Sequence, residues 1–216
     1  VARKPADQSV SREAILAAAA EVLQKRGYEA ATMKDIAAAV NLTAASLYHH
    51  FPSKDALLLA VLEQGMTQVL ERADEVLRAP HLSNADKLRA LICEHIIGIT
   101  GNTAVGAAMV FEIRSLMAVK PPAPTASADE HAAWQAYIAR RNAFFEQRDR
   151  FEKSIRRAVQ DGIAAGEFRP VDAGIFTKTL LGAQNWVGLW FQPHGRLTGA
   201  AIADMMADTF LASLRP

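Results

Sequence analysis

Apolar residues recur along this chain at helical spacing and almost nowhere at strand spacing. Ile15, Ala18, Ala19, Val22 and Leu23 follow the i, i+3, i+4, i+7, i+8 stripe of a helix with one buried face. Ser11 stands where an N-cap belongs, Lys25 and Arg26 suit a last turn, and Gly27 offers a stop. Thr32 then caps a short second helix, with Asp35 in the capping-box position and Met33, Ile36, Ala37 and Val40 on its inner face. Asn41 tolerates the left-handed backbone of a tight turn. Thr43 caps a third helix of about residues 44–50, closed by Pro52, and Ser53 opens a fourth of about 54–78. Further helices are predicted over about 85–100, 103–119, 130–165, 173–191 and 200–214. No run alternates apolar and polar residues as a half-buried strand requires, so the predicted fold class is all-α.

Composition narrows the picture. Half of the 216 residues are hydrophobic, enough for a sizeable core in one or two domains. The single cysteine, Cys93, excludes an intramolecular disulfide and suits a reducing compartment. The polar start "VARKPADQSVSRE" has no apolar leader, and the longest clean apolar run, residues 56–62, is too short to span a bilayer. A cytoplasmic protein without membrane contact is therefore expected. The net charge of +1 says little, but the first 54 residues carry seven basic and five acidic side chains, Arg3 and Lys4 among them. That tilt fits a nucleic-acid-binding N-terminus.

The stretch "LTAASLYHHFPSKDAL", residues 42–57, needs a chemical explanation. A core helix wants aliphatic residues, and here the buried side needs only Leu42, Leu47 and Phe51. Three short helices, the last two joined by a tight turn, make the helix-turn-helix layout. The small face of Ala44, Ala45 and Ser46, entered at Thr43, can approach base edges in a major groove. Tyr48, His49 and Lys54 supply hydroxyl, imidazole and ammonium groups for phosphates.

"TMKDIAAAVNLTAASLYHHFPSKDALL" resembles the DNA-binding signature of the TetR family of bacterial transcriptional regulators, and the first helix fits the same pattern. The resemblance covers about residues 11–60 and rests on the ordered match of Thr32, Ile36, Ala37, Leu47, Tyr48, Phe51, Lys54 and Leu57. It implies a three-helix DNA-reading head over residues 1–54 and a larger helical domain for ligand binding and dimerisation over 55–216. It also implies that Thr32, Tyr48 and Lys54 touch the DNA backbone, while Ala44, Ala45, Ser46 and His49 face bases or flanking phosphates. Two departures stand out. Asn41 replaces the family's usual glycine, and Ala44 and Ala45 stand where lysine and glycine are common. A missing cation at 44 lowers nonspecific affinity and its salt slope by about one phosphate's worth.

Catalytic and metal readings find little support. His95 follows Cys93 in "CEH", but no second histidine or cysteine stands at i+3 or i+4, and the six histidines are scattered. No paired carboxylates or nucleophile triad are visible, so neither a catalytic residue nor a cofactor is expected.

The last two helices read as a dimerisation bundle. "TLLGAQNWVGLWF" is apolar on nearly every side, so more than one neighbour must cover it. Leu181, Trp186, Leu189, Met205 and Phe210 are the expected dimer contacts, with Gly182 and Gly188 permitting close approach. The pattern from Asn185 onward is also similar to TetR-family regulators of fatty-acid and steroid catabolism, which respond to acyl-CoA thioesters. An effector of that type would meet Met66, Met109, Met117, Trp134, Tyr137 and Trp186, with Phe111, Phe144 and Phe145 as further apolar candidates. Arg114 and Arg141, or Arg140 and Arg148, would meet its phosphates or carboxylate. The same arginines equally suit a solvated helix face paired with Glu146 and Glu152. The expected protein is thus a homodimeric, effector-released repressor of a palindromic operator. An all-helical enzyme acting on acyl thioesters and an effector-independent DNA-binding protein stay open beside it.

Overall fold

A computed structural model describes residues 10–101 and 103–216; Arg3, Lys4 and Asp7 lie outside the described residues. Ten helices are found there: α1 (Arg12–Ala30), α2 (Met33–Ala39), α3 (Ala44–His50), α4 (Lys54–Arg78), α5 (Asn84–Gly101), α6 (Thr103–Phe111), α7 (Ile113–Ala118), α8 (Ala128–Ala164), α9 (Ala173–Trp190) and α10 (Gly199–Ala212). No strand occurs among the described residues.

Short polar side chains start the helices as the spacing demands. Ser11, Thr43, Ser53 and Thr198 each accept the backbone N–H three residues on, and Thr32–Asp35 and Ser127–Glu130 close reciprocal capping boxes. Asn41 holds φ +56°, the left-handed turn between α2 and α3. Gly27, at φ +72°, breaks the regular part of α1, after which one more turn carries the chain to Ala30. The single helix expected over 103–119 is two. At Glu112 the turn tightens to a three-residue hydrogen bond, Ser115 N–H to the Glu112 carbonyl at 3.1 Å, and α7 begins at Ile113.

Two apolar cores meet along α4, and α1 and α6 also contribute to both. The smaller takes Ile15, Leu16, Ala19 and Ala20 from α1, Met33, Ile36 and Ala37 from α2, and Leu47 from α3. Phe51, then Leu57, Ala60 and Val61 of α4, and Ala104 of α6 join it, whereas Leu58, Leu59, Leu62, Met66 and Leu70 of α4 face the larger core. In the larger core α4 and α5 pack on α8, α5 also packs on α9 and α10, and α6 lies between α1 and α9. Arg140 makes two bonds to Glu63 (3.2 and 2.5 Å) and Arg150 one to Asp74 (2.5 Å), setting the register of α8 on α4. Gly162 is required where it stands, because a Cβ would lie 2.2 Å from the Phe168 ring.

Candidate DNA-reading head and effector cavity

Leu47 is the one buried residue of α3. Burying it contributes about 1.5–3 kcal/mol and seats the helix on α2. The opposite side is open: Thr43, Ala45, Tyr48, His49 and His50 are exposed, and Ala44 and Ser46 are half-buried. Tyr48 keeps 51% of its surface. A small, polar helix face standing off a compact support is the form that enters a major groove. The Thr43 hydroxyl is engaged in capping Ser46 N–H at 3.1 Å. Thr32, exposed at the start of α2, bonds Asp35 Oδ2 at 2.7 Å, and Asp35 pairs with Arg26 at 2.9 Å.

Lys54 is turned inward. Its Nζ donates to the carbonyls of Tyr28 (2.7 Å) and Ala31 (3.0 Å) and sits 4.2 Å from the centroid of the Tyr28 ring. The ammonium therefore caps the carbonyl end of α1. The Tyr28 hydroxyl donates to the Asp55 carboxylate, and the Tyr28 N–H donates to Glu112 Oε1 at 3.1 Å. Burial first, and then Asp55, pushes the Tyr28 phenol well above its ordinary value.

A cavity of about 220 Å³ lies deeper in the larger core, walled by α4, α5, α6, α8 and α9. Met66, Val69, Leu91, Ile99, Met109, Phe145, Phe151 and Leu181 give it apolar walls. Its polar groups are Gln68, Arg72, Glu94, His95, Arg148, Asp149, Glu152 and Asn185. Arg72 pairs with Glu94 at 3.6 Å, and Glu152 holds Arg156 and Lys178. Among the described residues Arg148 forms no ion pair or hydrogen bond; burial pulls its guanidinium below its ordinary value against the opposing pull of Asp149 and Glu152. His95 Nδ1 is 3.0 Å from Gln184 Oε1, and Gln184 Nε2 donates to the Ile92 carbonyl at 3.2 Å. The ring also meets Phe151 edge-on, with centroids 5.0 Å apart. Burial lowers the His95 pKa, only partly offset by Gln184, so the ring is held neutral.

Residues 15–61 match the model of bacterial regulatory proteins of the tetR family, and residues 131–214 that of a tetracyclin repressor-like C-terminal domain. The chain belongs to the TetR family. Over 210 residues this TetR-family chain is 26% identical to the transcriptional repressor KstR2 of Mycolicibacterium smegmatis, covering 96% of this chain and 90% of the relative. The solved structure of the TetR-family regulator PfmR from Thermus thermophilus matches with a TM-score of 0.77 at 27% identity, over 95% of this chain and 100% of the other. AibR in complex with isovaleryl coenzyme A and operator DNA matches with a TM-score of 0.67, also at 27% identity, over 94% of this chain and 97% of the other. A TetR-family chain with this head is a DNA-binding transcriptional regulator, not an enzyme.

The sequence-predicted residues of the TetR-family chain fall into distinct places. Thr43, Ala44, Ala45, Ser46, Tyr48 and His49 share the exposed or half-buried side of α3, and Thr32 is exposed at the start of α2. Lys54, expected on a phosphate, instead has its ammonium on the end of α1. Met66 and Met109 lie on the cavity wall. Arg114 is exposed, and Met117 and Trp186 keep 60% and 57% of their surface, all away from the cavity. Trp134 stacks on Tyr137 at 6.0 Å, and Tyr137 with Arg141 lies earlier on α8 than the cavity does. Burial and Asp55 push the Tyr137 hydroxyl up to about 12. Phe144 is core, Phe145 lines the cavity, and the side chain of Phe111 lies outside the described residues. Arg140 is committed to Glu63.

Of the expected dimer residues, Trp186, Leu189 and Met205 are exposed, Phe210 packs on Phe176 at 5.8 Å, and Leu181 faces the cavity. Gly182 has open space beside it, whereas Gly188 lets α9 approach Ile99 and Gly106 of the same chain. Sequence reasoning missed Ile175 and Trp190, which extend the exposed side of α9, and Gln184 and His95, which cross-link α9 and α5. A fully buried glutamine on an apolar stripe was the available signal for that last pair. Cys93 is half-buried, and burial raises its thiol pKa, the reverse of what a nucleophile needs. No helix among the described residues is long and apolar enough to cross a membrane.

Proposed function

We propose that the protein is a homodimeric transcriptional repressor of the bacterial cytoplasm, released from a palindromic operator by a small acyl-type effector. Residues 1–54 read the DNA, and residues 55–216 bind the effector and hold the dimer. Thr32, Thr43, Ala44, Ala45, Ser46, Tyr48 and His49 form the DNA face. The observation that carries the effector half is the cavity, whose wall residue Met109 stands one turn from Glu112, the residue that holds Tyr28 at the base of the head. An effector that favours one position of α6 thereby favours one spacing of the two heads, by no more than its difference in affinity for the two states. At about 220 Å³ the cavity is below the roughly 300–1,000 Å³ of drug-sized pockets, so it suits an acyl chain while a coenzyme A nucleotide stays outside. The complex of the similar AibR with isovaleryl coenzyme A and operator DNA supports the same assignment. The exposed Ile175, Trp186, Leu189 and Trp190 of α9 and Met205 of α10 supply the apolar area for a partner subunit.

Selection of bound duplexes from a random DNA pool, followed by titration of short-chain acyl-CoA thioesters on the selected site, tests this reading. Enrichment of a palindrome that a thioester releases is the expected result. No enrichment by folded protein at low salt overturns the operator reading, and an operator affinity indifferent to every thioester overturns the effector reading.

A further inference from the structure

The interior of the cavity holds two hydrogen-bonding groups of opposite sense. Gln184 is fully buried, and one of its two amide hydrogens goes to the Ile92 carbonyl at 3.2 Å, with its oxygen toward His95. An amide oxygen only accepts, so His95 Nδ1 carries the ring hydrogen. In a neutral imidazole the other nitrogen, Nε2, is then a bare acceptor. His95 lines the cavity together with Phe151, Leu91 and Met66, and a ligand that dries this wall leaves an acceptor there without a donor unless it supplies one. Arg148 is the opposite case, a donor-only guanidinium lining the cavity without a protein partner among the described residues. The other charges are accounted for: Glu94 with Arg72, Glu152 with Arg156 and Lys178, and Asp149 exposed to solvent.

We propose that the effector is a hydroxylated acyl compound, its chain hydroxyl donating to His95 Nε2 while its carboxylate or thioester carbonyl accepts from Arg148. This rests on the effector reading above and gives that effector a chemical class. His95 and Gln184 act together as a filter. Gln184 sets the tautomer, and the tautomer rejects a saturated chain that leaves Nε2 dry and unpaired, as sites built around a ligand hydroxyl do. Arg148 fixes where the carboxylate or thioester end of the ligand lies.

The test is calorimetric titration of the full chain with hexanoate, hydroxyhexanoates and the coenzyme A thioester of each. The best-placed hydroxylated probe is expected to bind about five- to tenfold more tightly than its saturated counterpart. His95→Phe erases that difference while the saturated probe still binds, and Arg148→Met weakens both acids together. Nitrogen NMR of the natural protein, independent of any variant, reports the His95 ring with hydrogen on Nδ1. Equal binding of every hydroxylated and saturated pair, a hydroxyl preference that survives in His95→Phe, or hydrogen on Nε2 each overturns the filter while leaving the effector reading intact. If no probe binds in any form, the acyl-effector reading falls and the filter falls with it.

Discussion

Glu112 Oε1 accepts a 3.1 Å hydrogen bond from the backbone N–H of Tyr28, 84 residues earlier in the chain. The contact ties the α6–α7 break to the last turn of α1, from which Thr32 and the reading head follow. Replacing Glu112 with Ala leaves that N–H without its partner, at an expected cost of about 1 kcal/mol in denaturant unfolding. Effector-driven release should be blunted more than operator affinity itself. Operator titrations of the variant with and without effector check this, and an unchanged release factor would remove Glu112 from the coupling route.

Lys54 and Tyr48 should separate where their sequence positions do not. The sequence reading puts both on DNA phosphates, a place from which removing either side chain would leave stability nearly unchanged. With its ammonium on the Tyr28 and Ala31 carbonyls, Lys54→Ala should instead cost about 1–3 kcal/mol. That is a drop of several degrees in Tm for a chain of this size. The slope of log affinity against log salt should stay level, where loss of a phosphate contact would reduce it by about 0.9. Tyr48→Ala should do the reverse, weakening DNA binding by about 1–3 kcal/mol with Tm unmoved. Thermal melts beside salt-series binding curves decide both.

His95 gives the fold an acid sensitivity of its own. Its pKa is lowered in the folded protein, so the unfolded chain takes up a proton first as pH falls. Its contribution to stability is complete above the unfolded value of 6.5 and is lost as pH falls below it, at no more than about 1.4 kcal/mol per pH unit. Glu13, Asp35, Glu130 and Glu167 also have lowered values, but their losses begin near the ordinary carboxylate range. Unfolding free energies between pH 7 and 5 should therefore decline in the natural protein and stay flatter in His95→Phe. Parallel curves would contradict the lowered pKa of His95.

Trp186 keeps 57% of its surface in the single chain, so Trp186→Arg should leave the subunit folded. In the proposed dimer it places a charge in an apolar interface. Sedimentation should show a monomer, and affinity for a palindrome should fall steeply while far-ultraviolet circular dichroism is unchanged. A variant that remains dimeric would move the interface off this face of α9.

What the sequence determined alone was local. Caps, stops and one-sided stripes need only a few neighbouring residues, so Ser11, Thr32, Asn41, Thr43 and Ser53 could be placed before any fold was known. The open face of α3 was legible for the same reason, since a helix that buries only Leu47 must present the rest. The tertiary structure decided everything that depends on where a long side chain ends. Lys54 reads as an exposed cation until the carbonyl end of α1 comes within reach. The arginines of α8 part company according to what α4 sets beside them: Glu63 takes Arg140, Asp74 takes Arg150, and Arg148 is left to the cavity. The tautomer of His95 is set by Gln184, 89 residues away. Helical periodicity records which side of a helix is buried and carries no information about which helix covers it. Pairing across the core is fixed only when the helices pack.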